Sequence, residues 1–300
     1  AFAGTDSYFF KEELLLIIGG LMKQNTPAQL DLSALKKWTQ DLRCEVLDMT
    51  TRYAGHASSC FSCTEIMTVL YFAGILKHNP QDPQWPDRDR FILSKGHAAP
   101  LLYAVLAYAG YFDKRELSTF REIHSGFHGH PIQGCKPGVE VTSGSLGQGL
   151  SFGLGQVLAA RVQKQDYHAF VLLGDGECQE GQIWEAAMAA GHYRADRLLA
   201  VIDHNKYQQN GPISREMDLA PFADKWRAFG WHVVEVDGHD MVALYETLQK
   251  IKRIAGQPSV VIAHTVKGKG VSFVEADYTF HGRPLTAEQN KKAKEEILCN

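Results

Sequence analysis

The sequence predicts an α/β protein with a mainly parallel central sheet flanked by helices. Three observations carry that expectation. Four apolar runs, "YHAFVLLGDG", "LLAVIDHN", "WHVVEVDG" and "SVVIAHTVKGKG", each end in glycine or polar residues, as strands do. Helical patterns lie between them, and strands alternating with helices make a parallel sheet covered on both faces. The 300 residues are 45% hydrophobic and 22% charged, enough apolar material for a sizeable core.

Residues 1–30 read as an irregular or helical leader, and residues 31–300 as the domain. In "DLSALKKWTQDLRCEVLDMTTRYAG", Leu32, Leu35, Leu42, Val46 and Met49 recur at helical spacing, with Asp31 or Ser33 suited to cap the start. "CTEIMTVLYFAGIL" reads as a second helix. "DRFILSKGHAAPLLYAVLAYAG" reads as a short buried strand, a turn at Ser94–His97 and then a helix. In "GSLGQGLSFGLGQVLAARVQ" a glycine-rich turn runs into a long helix of small residues. "QIWEAAMAAGHYR" and "MVALYETLQKIKRIAG" supply helices between strands, and "LTAEQNKKAKEEILCN" reads as a soluble terminal helix that suits a natural chain end.

The net charge of -3 argues for neither nucleic acid nor an anionic membrane surface as partner. "LLLIIGGLM", residues 14–22, falls far short of the roughly 20 residues needed to span a bilayer. Glu12 and Glu13 precede it, where a signal peptide carries positive charge. A cytoplasmic protein is therefore expected. Of the six cysteines, Cys60 and Cys63 have the C-x-x-C spacing, but neither a second ligand pair nor a thioredoxin-like context accompanies them. Free thiols in a reducing compartment are expected.

In parallel sheets ligands bind beyond the carboxyl ends of the strands. Asp175, Asn205, Asp237 and Lys267 all fall at or just past such ends. "GDG" at 174–176 and "DHNKY" at 203–207 lie one strand–helix–strand crossover apart, and a parallel crossover can bring two strand ends close together. Asp175 offers an anionic oxygen and Asn205 a neutral amide oxygen. Magnesium takes oxygen ligands and leaves positions for phosphate and water. The flanking glycines permit close approach of a phosphate, and a helix start lies near it. Either segment alone also reads as an ordinary turn; the pair on consecutive strands is the specific signal.

"GDGECQEGQIWEAAMAAGHYRADRLLAVIDHNKYQQNG" resembles the thiamine-diphosphate motif, GDG followed about thirty residues later by Asn, and more specifically the transketolase family. Further markers are "AGHASSCFSCTEI", "DRFILSKGHAAPLLYAVLAYAGYF", "FHGHPIQGCKPGVEVTSGSLGQGLSFGLG" and "VKGKGVSFVEADYTFHGRPL", in family order over nearly the whole chain after residue 31. The resemblance implies the three-layer thiamine-diphosphate-binding fold. It implies that Asp175 and Asn205 hold magnesium, or another divalent cation, through their side chains and Tyr207 through its backbone carbonyl. It places Gly176 and Asn205 at the diphosphate, and Gly144, Ser145 and Leu146 against the cofactor by main-chain contacts. The family often has proline where Ser145 stands.

Four of the thirteen histidines stand in motif positions: His56 in "AGHAS", His97 in "SKGHA", His130 in "HGHP" and His281 in "FHGRP". The resemblance implies that His97 and His281 approach the diphosphate. It makes His56, His130 and His281 the catalytic residues, facing the sugar hydroxyls and the reacting carbonyl. A ketose must lose a hydroxyl proton before its carbon–carbon bond breaks, and the acceptor aldehyde must gain one; imidazoles do both near neutral pH. The family commonly has Gly-His-Pro-Gly at the first histidine, where this chain has "GHASS". His124 and His128 match no site. Glu180 and Glu185 match carboxylates of the family's subunit interface; their alternative reading is a solvated helix start favoured by its dipole.

Transketolases are about twice this long and need a pyrimidine-binding domain, which carries the glutamate that activates the cofactor. The expectation is the N-terminal subunit of a split transketolase transferring a two-carbon ketol unit between sugars. A C-terminal subunit would complete the site, in a heterotetramer of two of each chain. The rival readings are a fragment of a longer protein, a subunit of a 2-oxo acid decarboxylase or dehydrogenase, and a non-catalytic cofactor-binding subunit.

Overall fold

The structure, a computed structural model, describes residues 30–299. The expected strands are present: β1 (Arg90–Leu93), β2 (Ala169–Gly174), β3 (Leu198–His204), β4 (His232–Asp237) and β5 (Ser259–His264). They form one sheet in the order β1-β2-β3-β5-β4, every neighbouring pair parallel. β1 and β2 are buried along their whole length, and β3 and β5 up to their last residues. That is why they read as unbroken apolar runs: a strand covered on both faces has no polar side to alternate with. The edge strand β4 is partly exposed and accommodates Glu235 and Asp237.

Helices α1 (Leu32–Arg52), α2 (Ala57–Phe61), α3 (Thr64–Phe72), α4 (Ala99–Tyr108), α5 (Gln148–Gln163), α6 (Gly181–His192), α7 (Ile213–Glu216), α8 (Phe222–Ala228), α9 (Met241–Ile251) and α10 (Ala287–Cys299) surround the sheet. One face meets α5, α6 and α8, where Leu150, Leu154, Ile183, Ala187 and Trp226 pack with Val171, Leu173, Ala200 and Ile202. On the other face Tyr71 of α3 meets Phe91 of β1 at 5.4 Å between ring centroids. The layers therefore run helix, sheet, helix, as expected. Within this arrangement α10 lies on α1, burying Ala293 and Ile297, and Asn290 Nδ2 donates to the Leu47 carbonyl at 3.2 Å.

Two helix boundaries differ from the sequence reading. The helix expected over "CTEIMTVLYFAGIL" ends at Phe72, before Gly74 at φ +72°, a conformation suited to glycine and not to a helix interior. A separate short helix, α2, precedes it. α9 ends at Ile251, short of Gly256; its start is set by Asp240, whose Oδ1 accepts from the Val242 and Ala243 amides, both at 3.0 Å. The leader expected over 1–30 lies, save for residue 30, outside the described residues. Cys60 and Cys63 are buried, and burial pushes the Cys60 thiol up to about 12, so it packs as a neutral group.

Candidate functional site

β2 and β3 are neighbours, with Gly174 in register opposite Asp203. Their carboxyl ends thus bring Asp175 and Asn205 together, as one crossover allows. Asp175 is buried, with Oδ1 accepting from the Gly176 amide at 2.8 Å and Oδ2 from the Lys206 amide. Burial, reinforced by the Asp203 charge, pushes its carboxyl up to about 7. Among the described residues it makes no ion pair at contact distance. Asn205 donates through Nδ2 to Asp203 at 3.1 Å, which turns Oδ1 the other way; Oδ1 accepts from the Tyr207 amide at 3.1 Å and keeps a second lone pair. Lys206, at φ +70°, makes the sharp bend between Asn205 and Tyr207.

A cavity of about 200 Å³ opens here, lined by Asp175, Gly176, Asn205, Tyr207, Leu146, His97 and His281. The four motif histidines converge from four separate segments. His56 lies 5.3 Å from His97, 5.1 Å from His281 and 6.4 Å from His130 between ring centroids. Gly144, at φ +137°, runs so close to His130 that an added Cβ would lie 3.1 Å from the ring. Burial pushes His56 down to about 4 and His281 down to about 3, and lowers His97 and His130 as well. At neutral pH these rings are neutral, each with one donor and one acceptor nitrogen.

The sequence reading missed a charged network behind this cavity. Lys95 and Asp203 form an ion pair, both at most 1% exposed. Ser62 Oγ donates to Asp203 at 2.6 Å, Thr265 Oγ1 also donates to it, and Lys95 Nζ donates to the Ser59 carbonyl at 3.0 Å. Burial opposes the Asp203 charge, yet Lys95 beside it holds the carboxyl below its usual range. Lys267, a strand-end residue left without a role, donates to Ser59 Oγ at 3.1 Å and lies 3.2 Å from His281 Nδ1. An ammonium only donates, so His281 Nδ1 accepts and its proton sits on Nε2. Burial and then Lys95 push Lys267 down to about 8. Glu177 is buried too: it accepts from the amides of Gly147 at 2.9 Å and Gly174 at 3.0 Å and from Ser94 Oγ, tying the 144–147 turn to the GDG turn.

The signals were there in part. Asp203 is a charge inside an otherwise apolar strand, and such a residue needs a buried partner. Nothing in the sequence says which one. Other expected residues stand apart. Asp237 ends the edge strand and accepts from the His239 amide, so it caps a turn away from the cavity. Ser145 and Glu185 are exposed, but Glu180, exposed as well, stands on the cavity's wall beside Asp175. His128 meets Cys135 Sγ at 3.5 Å instead of joining the cluster.

Fold and site define a class: an α/β protein with a carboxylate, an amide oxygen, neutral imidazoles and two buried lysines gathered at the carboxyl end of a parallel sheet. The family described as "Transketolase, thiamine diphosphate binding domain" matches residues 35–300. The chain belongs to the transketolase family and is its thiamine diphosphate binding domain. It is 42% identical, over 81% of its length and 88% of the relative, to the 6-deoxy-6-sulfo-D-fructose transketolase subunit SqwG of Clostridium sp. (strain MSTE9). Identity is also 42% to one subunit of the apulose-4-phosphate transketolase of Phocaeicola vulgatus, over 81% of this chain and 86% of that one. The solved transketolase from Leishmania mexicana superposes with a TM-score of 0.82 at 33% identity, over 88% of this chain. The chain spans 41% of that longer protein's length.

Proposed function

We propose that this chain is the diphosphate-binding subunit of a thiamine diphosphate- and magnesium-dependent transketolase. It transfers a two-carbon ketol unit from a ketose to an aldose, with a partner chain completing each site. The observation that carries this reading is one cavity lined by Asp175, Asn205, His97 and His281, with His56 packed on both of these rings and His130 beside it. Residues 31–300 form the working domain, acting in the cytoplasm; no helix among the described residues is long and apolar enough to cross a membrane.

The donor set fits the cofactor. Asp175 and Asn205 side-chain oxygens with the Tyr207 carbonyl make a hard oxygen set of the kind magnesium takes. Asp175 is buried and makes no ion pair at contact distance among the described residues, and a divalent ion would compensate its charge there. Gly176, Asn205, His97, His281 and Lys267 would face the diphosphate, and Gly144, Ser145 and Leu146 would bear on the cofactor through the main chain. Bound thiamine diphosphate supplies the electron sink that cleavage beside a carbonyl requires. The chain's own residues handle the protons. His56, His130 and His281 take a proton from the donor hydroxyl and return one to the acceptor oxygen, which neutral rings do without further change. Lys267 keeps the His281 proton on Nε2, available to donate.

The partner reading rests on two supports. Both relatives of similar length are named as subunits. Beside Glu180 and Glu185, α5 and α6 expose Phe152 at 45% and Met188 at 58%, and a Cβ at Gly155 or Gly181 would meet nothing within 4 Å among the described residues. Such a face suits a close-packed partner, in an assembly of two of each chain. The test mixes this chain with the product of the neighbouring gene, thiamine diphosphate, magnesium, a ketose and an aldose. Two-carbon transfer is expected; no transfer with any common sugar pair counts against the reading. Carbon dioxide release from pyruvate would move the assignment to 2-oxo acid chemistry.

A further inference from the structure

His204 and His264 are register partners on the adjacent strands β3 and β5, so their rings stand side by side at the sheet's carboxyl end. Asp203 and His204 are consecutive in β3 and therefore face opposite sides of the sheet. Asp203 serves the lysine network, whereas His204 turns toward Phe222 of α8, 5.6 Å away between ring centroids. The two Nδ1 atoms lie 3.2 Å apart. Two nitrogens bound to one tetrahedral zinc ion stand about 3.3 Å apart, given the usual metal–nitrogen distance.

Glu235 on the edge strand accepts from His264 Nε2 at 3.0 Å. That bond places the ring proton on Nε2 and leaves the lone pair of neutral His264 on Nδ1, the atom facing His204. A carboxylate behind a histidine in this way is the usual outer support of a metal-binding imidazole. His204 and Glu235 line a cavity of about 240 Å³, with Asp224 and Arg227 on its wall. Among the described residues no group of three or more His, Cys, Asp or Glu is arranged to hold a metal. An ion held here would have His204 and His264 as its protein ligands, and its remaining positions would be left to water.

We propose that His204 and His264 form a binding site for a borderline transition ion of the Zn²⁺ or Ni²⁺ type, separate from the magnesium expected at Asp175 and Asn205. The two sites sort ions by donor: imidazole nitrogens suit zinc, nickel and copper, and carboxylate and amide oxygens suit magnesium. An ion at this pair ties β3 to β5 immediately before Asn205 and Thr265.

The test titrates Ni²⁺ calorimetrically into the untagged protein, with thiamine diphosphate and magnesium in excess throughout. One Ni²⁺ per chain is expected at this site. His204→Gln and His264→Gln should each weaken it at least tenfold. Glu235→Gln, at a side chain 45% exposed, leaves the core untouched and should weaken it by about tenfold, the lower end of the effect of removing an outer partner. With Cu²⁺ as a probe, electron paramagnetic resonance should show coupling to two nitrogens, reduced to one in His204→Gln and lost from this site in His204→Gln/His264→Gln. Unchanged Ni²⁺ affinity and stoichiometry in the His204→Gln/His264→Gln variant, or in a folded Glu235→Gln variant, would overturn the proposal.

Discussion

Replacing Asp203 with asparagine removes the charge of the Lys95 ion pair and leaves the shape nearly unchanged. Lys95 and Asp203 are 1% and 0% exposed, so the lysine cannot turn to solvent. Four donors converge on the Asp203 carboxylate: Lys95 Nζ, Ser62 Oγ, Thr265 Oγ1 and Asn205 Nδ2. An amide offers only one acceptor oxygen and turns an NH₂ group toward the others. Breaking a buried pair from one side typically costs about 3–5 kcal/mol, because the remaining charge stays buried and uncompensated. At about 2–4 °C per kcal/mol for a domain of this size, the melting temperature should fall by about 6–20 °C. The assays are thermal unfolding of the cofactor-free chain for the shift and urea unfolding for the free energy, with the slope m checked for constancy. Measured against Lys95→Met and Asp203→Leu singly, a Lys95→Met/Asp203→Leu double variant should recover much of the loss, giving a coupling energy above about 2 kcal/mol. A loss below about 1 kcal/mol for Asp203→Asn, or strictly additive effects in the double variant, would mean that Lys95 does not depend on Asp203 for its burial.

Three further outcomes are expected. Asp175→Ala should abolish magnesium-dependent binding of thiamine diphosphate in the assembled protein, measured by calorimetry; retained tight binding removes the metal assignment. Gly144→Ala, at φ +137° with His130 3.1 Å away, should cost about 1–3 kcal/mol in stability or be absorbed as weakened cofactor binding; urea midpoints and cofactor titration together register it. His56 and His281 titrate near about 4 and about 3 in the folded chain, below the usual 6.5. The unfolded chain therefore binds more protons between those values and 6.5, and the two rings' contribution to stability is present above about 6.5 and lost as the pH falls. Asp175, raised to about 7, runs the other way, favouring the fold at lower pH. The isolating comparison is therefore the His56→Gln/His281→Gln variant, whose unfolding midpoint should depend less steeply on pH between 4 and 6.5 than that of the parent chain.

The sequence exposes the parts of this fold that depend on single segments. β2 and β3 are apolar throughout because both faces are covered, and their order in the chain matches their order in the sheet, so the meeting of Asp175 and Asn205 followed. It did not follow for β4 and β5. β5 inserts between β3 and β4, which carries Asp237 to the edge and places His264 beside His204. Strand order is a tertiary property that no local pattern carries. The Lys95–Asp203–Ser62–Thr265 network was hidden for the same reason, since its members come from four distant segments. The four histidines were found through motif resemblance, not through periodicity; the structure adds their mutual distances. The helix break near Gly74 was legible in principle from that glycine but was outweighed by the apolar residues on either side.

The proposed chemistry depends above all on a magnesium–diphosphate site built on Asp175 and Asn205. Mn²⁺ in place of magnesium makes that site directly measurable, by counting bound ions in the assembled protein with and without thiamine diphosphate. One Mn²⁺ per copy of this chain is expected, held tightly only when the diphosphate is present and lost in Asp175→Ala. Equal Mn²⁺ binding with and without the cofactor, or binding unchanged in Asp175→Ala, is incompatible with such a site.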